Sequence, residues 1–228
     1  MKKISLSIFA LSFTLILYAQ PKQNSKESKP KEVIGITGGI SIASMKAKAS
    51  GLSFTTDSKV GLTIGVIADL KLSHHFTLQN GLNFTQKGSK INLNFDTDKV
   101  HSKETLNYIE LPINILYSVE AGKGKFFGGA GPAFNYGIGG KSESTITSNG
   151  QTTSDSHNVK FGNSVGTDDY KPLEIAGNII AGYELQNGLF FSANYNFGIN
   201  NIAVEDNSGK IHNRYFGLRI GYKFTGSK

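Results

Sequence analysis

Three observations predict that this chain is all-β and folds as an eight-stranded antiparallel up-and-down transmembrane β-barrel. Stretch after stretch alternates apolar with small or polar residues at a period of two, the pattern of a strand lying between two unlike media. The first twenty residues read as an export signal. The connections between the alternating stretches are by turns short and long, as in bacterial outer-membrane barrels.

In the export signal, Lys2 and Lys3 form the basic start, Ile4 to Tyr18 the apolar run, and Ala19 and Gln20 the cleavage point. No later stretch reaches the ~20 continuous apolar residues that a membrane helix needs. A membrane crossing is therefore open to this chain only as a closed sheet, because backbone groups in lipid must all be paired. Residues 21–32, with Lys22, Lys26, Lys29 and Lys31 among Pro and Ser, read as a flexible periplasmic leader. Residues 33–224 form the barrel domain and 225–228 a C-terminal tail. The chain has no Cys, which excludes disulfides, thiolate metal sites and a thiol-linked lipid anchor.

Each strand has an outward phase. The first, about 33–45, sets Ile34, Ile36, Ile40 and Ile42 against Gly35, Thr37, Gly39 and Ser41. The second, about 59–72, sets Val60, Leu62, Ile64, Val66, Leu70 and Leu72 against Gly61, Thr63, Gly65, Asp69 and Lys71. The third starts at Phe76, with Leu78, Leu82 and Phe84 opposite Thr77, Gln79, Asn83 and Thr85. In the fourth, about 105–119, Ile109 to Val119 alternate with Tyr108, Glu110, Pro112, Asn114 and Ser118. The fifth, about 126–139, is Gly-rich on its inner face. The sixth, about 173–185, and the seventh, about 189–202, carry Glu174, Asn178, Glu184, Ser192, Asn194 and Asn196 inward. In the eighth, Phe216, Leu218, Ile220, Tyr222 and Phe224 alternate with Tyr215, Gly217, Arg219, Gly221 and Lys223.

Connections at 73–75, 120–125 and 186–188 are short; those at 46–58, 95–104, 141–171 and 203–210 are long. The 141–171 segment, rich in Ser and Thr, reads as disordered or as a protruding hairpin. Tyr117, Phe126, Tyr183, Tyr222 and Phe224 fall at the short-turn end in the outward phase, the place of a periplasmic aromatic girdle. A soluble barrel has the same period but turns its apolar face inward. Here the other face is Gly, Asn, Ser, Thr and charge, which suits a narrow lumen better than a dry core. Glu110 on that face needs a partner; Arg219 is the best inward cation at mid-strand, with Lys71 and Lys87 as alternatives. Pro112 removes a ladder donor and predicts a bulge or bend.

Several stretches resemble the PorT-like outer-membrane β-barrel proteins of Gram-negative bacteria. Tyr108-Ile109-Glu110-Leu111-Pro112 is similar to that family's Y-x-E-x-P signature. Gly131-Pro132 through Gly137 is similar to its G-P-x-x-x-Y/G strand, and Ala181-Gly182-Tyr183-Glu184 with Tyr195 through Ile202 to its G-Y-E and Y-x-x-G-L-x-N-I segments. The resemblance implies the fold and an outer-membrane location. A founding member is associated with a protein secretion system, a role that a shared barrel does not carry over.

The formal charge is +7, and +5 once the signal's two lysines are gone. The charges are dispersed and the chain is exported, so nucleic acid is not an expected partner; outer-membrane lipid is, and an envelope protein partner fits the loops. No cofactor is called for. A structural or interaction role is the first reading, and a narrow channel for water or small solutes the second. The third is a lipid-modifying enzyme at the outer rim, with His101, His157 and His212 as the bases that nucleophilic chemistry needs. His74 and His75 read as turn residues. Asp155 with Asp168 and Asp169, and Asp96 with Asp98, are oxygen donors short of a full cation loop, and read as solvated loop acids.

Overall fold

The computed structural model describes residues 32–49, 51–94, 98–204 and 209–224. The export segment 1–20, nearly all of the leader, the tail 225–228 and Asp96 lie outside the described residues. Among the described residues ten antiparallel strands form one sheet: β1 (Glu32–Ala49), β2 (Leu52–Thr55), β3 (Lys59–Lys71), β4 (Phe76–Asn94), β5 (Lys99–Ala121), β6 (Gly124–Ser148), β7 (Gln151–Val159), β8 (Leu173–Leu185), β9 (Leu189–Gly198) and β10 (Lys210–Phe224). The order runs β10-β9-β8-β6-β5-β4-β3-β1-β2, and β7 pairs with β6. β1 also pairs with β10, from Ile34 opposite Phe224 to Lys48 opposite Lys210, so the sheet returns on itself. β2 and β7 lie outside that circuit: each folds back on the long end of one wall strand.

An apolar band rings the outside. Ile34, Leu62, Ile64, Ile115, Ile179 and Ile220 are all exposed, which water would not favour over so large an area. Moving toward the long-loop end, the outward residues turn polar: Ser44 follows Ile42, Gln86 follows Phe84, Asn107 precedes Ile109, and Arg214 precedes Phe216. Beyond that boundary β4, β5 and β6 continue as a projecting wall, extended by β7, which we term the collar. The 95–104 connection is therefore mostly strand, since β4 reaches Asn94 and β5 starts at Lys99. Of the two readings of 141–171, the hairpin is found through Val159. It turns at Asn149-Gly150, both with positive φ (50° and 80°), the left-handed pair that a two-residue hairpin demands.

Two expectations change. Pro112 produces no bulge: pairing lapses beside it on both flanks and resumes in the same register, Asn83 opposite Glu110 and Asn80 opposite Ile113. Inward residues on either side fix that register. The shift instead lies at Asn107/Tyr108, where Ile138 is the extra residue of β6 and Gly139 takes φ 141°. The seventh predicted strand ends at Gly198 rather than 202, because Asn side chains replace the ladder. Asn200 Oδ1 accepts the Ile175 N–H at 2.6 Å, and Asn201 Oδ1 accepts those of Ala203 and Ile211 at 3.0 and 2.8 Å.

Closure needs close approach at the seam. A Cβ on Gly39 would collide with the Leu218 carbonyl oxygen and the Arg219 Cα of β10, neither of which can turn aside. Gly39→Val is expected to block pairing of β1 with β10. Refolded in detergent, it should lack the heat-modifiable gel band that the parent chain shows.

Candidate functional site: a filled bore beneath an outer collar

Inward side chains fill the enclosed space in layers. Nearest the short turns, Lys223 Nζ lies 2.6 Å from Asp69 Oδ2 and 2.7 Å from Glu184 Oε2. Lys125 reaches Glu184 at 3.2 Å, and Gln79 donates to Asp69 at 2.8 Å. Two cations thus face two carboxylates. The void at this mouth, lined by Lys71, Thr77, Ser118, Glu120 and the His74-His75 turn, is about 30 Å³, the scale of one water.

Above this layer lies an apolar one, Ile67, Leu116, Phe127, Ile180 and Phe190, all buried. Lys223 joins the two, its ammonium 5.5 and 5.4 Å from the Phe127 and Phe190 ring centres. This layer corrects the expectation of an inner face that is small and polar throughout. Its signal was present in the sequence: Val66-Ile67, Ile115-Leu116, Phe126-Phe127, Ile179-Ile180 and Phe190-Phe191 each break the alternation with an adjacent apolar pair. Glycine makes room for the large members. The Phe127 ring occupies the space a Cβ on Gly182 would take, and Phe190 does the same at Gly221.

The middle layer holds the expected carboxylate. Arg219 Nη2 is 3.2 Å from Glu110 Oε1, and Tyr215 Oη donates to the same carboxylate at 2.8 Å. Lys87, one of the two alternatives, is there as well: its Nζ lies 3.8 Å from Glu110 and 2.7 Å from Glu174. Lys71, the other, is exposed at the short-turn end. Glu174 also accepts from Asn135 and Asn213, and the Lys87 ammonium sits 4.9 and 5.2 Å from the Tyr108 and Tyr215 ring centres. Again two cations match two carboxylates. Sequence reasoning placed Glu174 inward without seeing that it shares Lys87 with Glu110, because the Lys87–Glu174 contact joins residues 87 positions apart that meet only across the ring.

The long-loop mouth is covered. Met45, Leu106, Tyr108 and Val159 pack with Phe161, Tyr170 and Ile211. Phe161 lies over Gly137, where a Cβ would strike its ring, and meets Tyr108 at 5.4 Å. Tyr170 Oη donates to Glu104 Oε2 at 2.7 Å. Glu104 stands above the apolar band. Burial raises its carboxyl above the ordinary range, against the lowering effect of the Tyr170 hydrogen bond. Burial, with the nearby Glu104 charge, also pushes the Tyr170 hydroxyl up.

The rim histidines are not brought together. His101 shares a 2.8 Å hydrogen bond with Asn92, while His157, two strands along and in the opposite phase, faces the mouth 3.9 Å from Asp169. His212 is paired in register with Lys46 on the far seam. Among the described residues no His is hydrogen-bonded to a Ser or Thr hydroxyl, and no group of three His, Asp or Glu is placed to hold a metal. Asp168 and Asp169 serve their own loop, accepting the Ser164 and Lys160 N–H groups at 2.8 Å each. His75 stacks on Tyr117 at 5.6 Å. The aromatic residues of the short-turn end lie on the outer wall, Tyr183 half-buried and the others exposed, and touch in pairs: Phe126 with Tyr183 at 4.7 Å, and Tyr222 with Phe224 at 5.4 Å. Phe76 adds to them, 5.3 Å from Tyr117.

A sheet that closes on itself, with an apolar outside and a charged, filled inside, defines a transmembrane β-barrel. The family model described as the outer membrane protein beta-barrel domain matches residues 18–204, and the chain belongs to that family. Among solved structures the chain is similar to Ail, the attachment invasion locus protein of Yersinia pestis, at 12% identity over 86% of this chain and 100% of that one, with a TM-score of 0.36. It is similar to Neisserial surface protein A at 14% identity, over 87% and 100%, with a TM-score of 0.40. The outer membrane protease OmpT of Escherichia coli follows at 11%, over 88% and 99%, with a TM-score of 0.33. At such values these likenesses carry no argument about activity. No curated protein matches the sequence.

Four outcomes are expected. Lys87→Met leaves the buried Glu174 carboxylate without a cation, while Glu110 keeps Arg219, and should destabilise the barrel by roughly 3–5 kcal/mol in urea unfolding from lipid vesicles; Glu110→Gln, which weakens the Arg219 contact, should lower heat stability less. By NMR, the Glu104 carboxyl should titrate with a midpoint above that of a free Glu side chain. Tyr170→Phe, by removing the hydrogen bond that lowers it, should move that midpoint higher still. Because the folded value is raised, Glu104 favours the covered mouth most below the ordinary Glu range, and that contribution is lost as pH rises through the raised midpoint.

Proposed function

We propose that this protein is a plugged outer-membrane barrel of eight wall strands (β1, β3, β4, β5, β6, β8, β9 and β10) that presents its collar to a partner outside the membrane. The single observation that carries this reading is the filled bore. Tyr108, Tyr215, Lys87, Leu116, Glu110 and Glu174 are each at most 2% exposed. An eight-stranded ring leaves an interior that side chains can just fill, and here two balanced ion layers and two apolar layers occupy it. In this reading the surface offered to other molecules is the collar, whose β7 residues Gln151–Asn158 are all exposed. The cleaved signal, the Gram-negative setting and the periplasmic girdle of Tyr117, Phe126, Tyr183, Tyr222 and Phe224 belong to the same reading. So does the narrower likeness to the PorT-like proteins, which rests on the four motifs alone.

Planar bilayer recording tests this against the channel reading. The purified barrel is expected to give no resolvable single-channel current at neutral pH, and a steady conductance would overturn the proposal.

A further inference from the structure

We infer that the free edge of β7 is a strand-addition site for an extended segment of another protein, one that carries a basic residue opposite Asp155. The inference rests on the collar being the interaction face and names how that face would bind. β7 pairs with β6 from Val159 opposite Gly140 to Gln151 opposite Ser148, with no register shift. Among the described residues nothing pairs with its other side. The two-residue Asn149-Gly150 loop makes Ser148 and Gln151 a hydrogen-bonded pair, and such pairs recur at every second residue. Thr153, Asp155 and His157 therefore direct their backbone groups to β6. Thr152, Ser154, Ser156 and Asn158 direct theirs outward, a row of N–H and C=O groups matched to an incoming strand.

Exposed edges are ordinarily blunted by Pro, Lys, bulges or covering loops. β7 has no Pro, Lys or Arg, and its side chains from Gln151 to Asn158 are polar and exposed on both faces. Asp155 has no cationic partner among the described residues, and it faces the same side as Glu104 and Asp169-linked His157. This acidic surround sets the charge of the segment. Antiparallel pairing with a second copy in the same membrane does not fit. The two-fold that relates antiparallel edges stands normal to the sheet, and this sheet continues the barrel wall along β6, so the axis would lie in the membrane plane and invert the second barrel.

The probe is a blocked ten-residue peptide of alternating Thr and Val with one central Lys, added to the full barrel in lipid nanodiscs. Amide exchange by NMR should slow at Thr152, Ser154, Ser156 and Asn158 while Thr153, Asp155 and His157, already bonded, do not change. Ser156→Pro removes one outward N–H and no bond to β6, so it should weaken binding about tenfold or more, whereas Ser156→Ala should leave it unchanged. Asp155→Asn should weaken binding of the Lys peptide and not of a Lys-free version. Retained protection at Thr153 and Asp155 shows that the hairpin of the Pro variant is intact. Undiminished binding by that variant, or no selective protection, overturns the strand mode. A steady bilayer current would instead strike at the plugged-barrel reading, so the two failures are told apart.

Discussion

Everything in this molecule depends on the pairing of β1 with β10. In hydrocarbon an unpaired backbone group costs several kcal/mol, and an open sheet would leave two whole edges of them. Fifteen registered positions from Ile34–Phe224 to Lys48–Lys210 remove both edges at once. Closure also fixes what can lie inside. A narrow ring brings inward side chains from opposite walls into contact, so each large residue needs a small neighbour. Leu116 stands beside Gly129, Phe127 beside Gly182, and Phe190 beside Gly221.

The charges inside follow from the same confinement. A single buried ion is expensive, and a buried pair is tolerable only when the remaining hydrogen-bonding capacity is met. Both ion layers match two cations to two carboxylates and add Asn, Gln or Tyr donors, while in the middle layer Arg219 Nε and Asn135 Oδ1 find no partner among the described residues. The aromatic rings of Tyr108 and Tyr215 face Lys87, and those of Phe127 and Phe190 face Lys223, so even the apolar boundaries of each layer suit a cation. The bore is thus held by many mutually dependent contacts, which suits a rigid support more than a conduit. The variable and accessible part is displaced to the collar, where strands leave the lipid and both faces meet water.

Much of this was legible in the sequence. Period-two alternation gave the inward or outward phase of Ile34, Glu110, Glu174, Arg219 and Tyr222 without any structure, because the contrast between lipid and lumen is large. The charge pairing was legible only in kind: Glu110 needed a cation, but whether Arg219, Lys87 or Lys71 supplied it depends on which strands face each other across the ring. Strand ends above the membrane were misjudged for a related reason. Beyond the mouth cluster of Tyr108, Leu106 and Val159 both faces are wet, alternation fades, and the Asn149-Gly150 turn flanked by Thr and Ile is the signal that remains.

By itself, then, the sequence determined an exported, all-β, membrane-crossing chain and the side to which each residue points, since those follow from local alternation and composition. Only the tertiary structure decided that the bore is filled, that Lys87 serves two carboxylates, and that one edge of β7 has no partner strand among the described residues. These depend on registers among strands far apart in the chain, and no local pattern encodes the distance between residues that meet only when the ring closes.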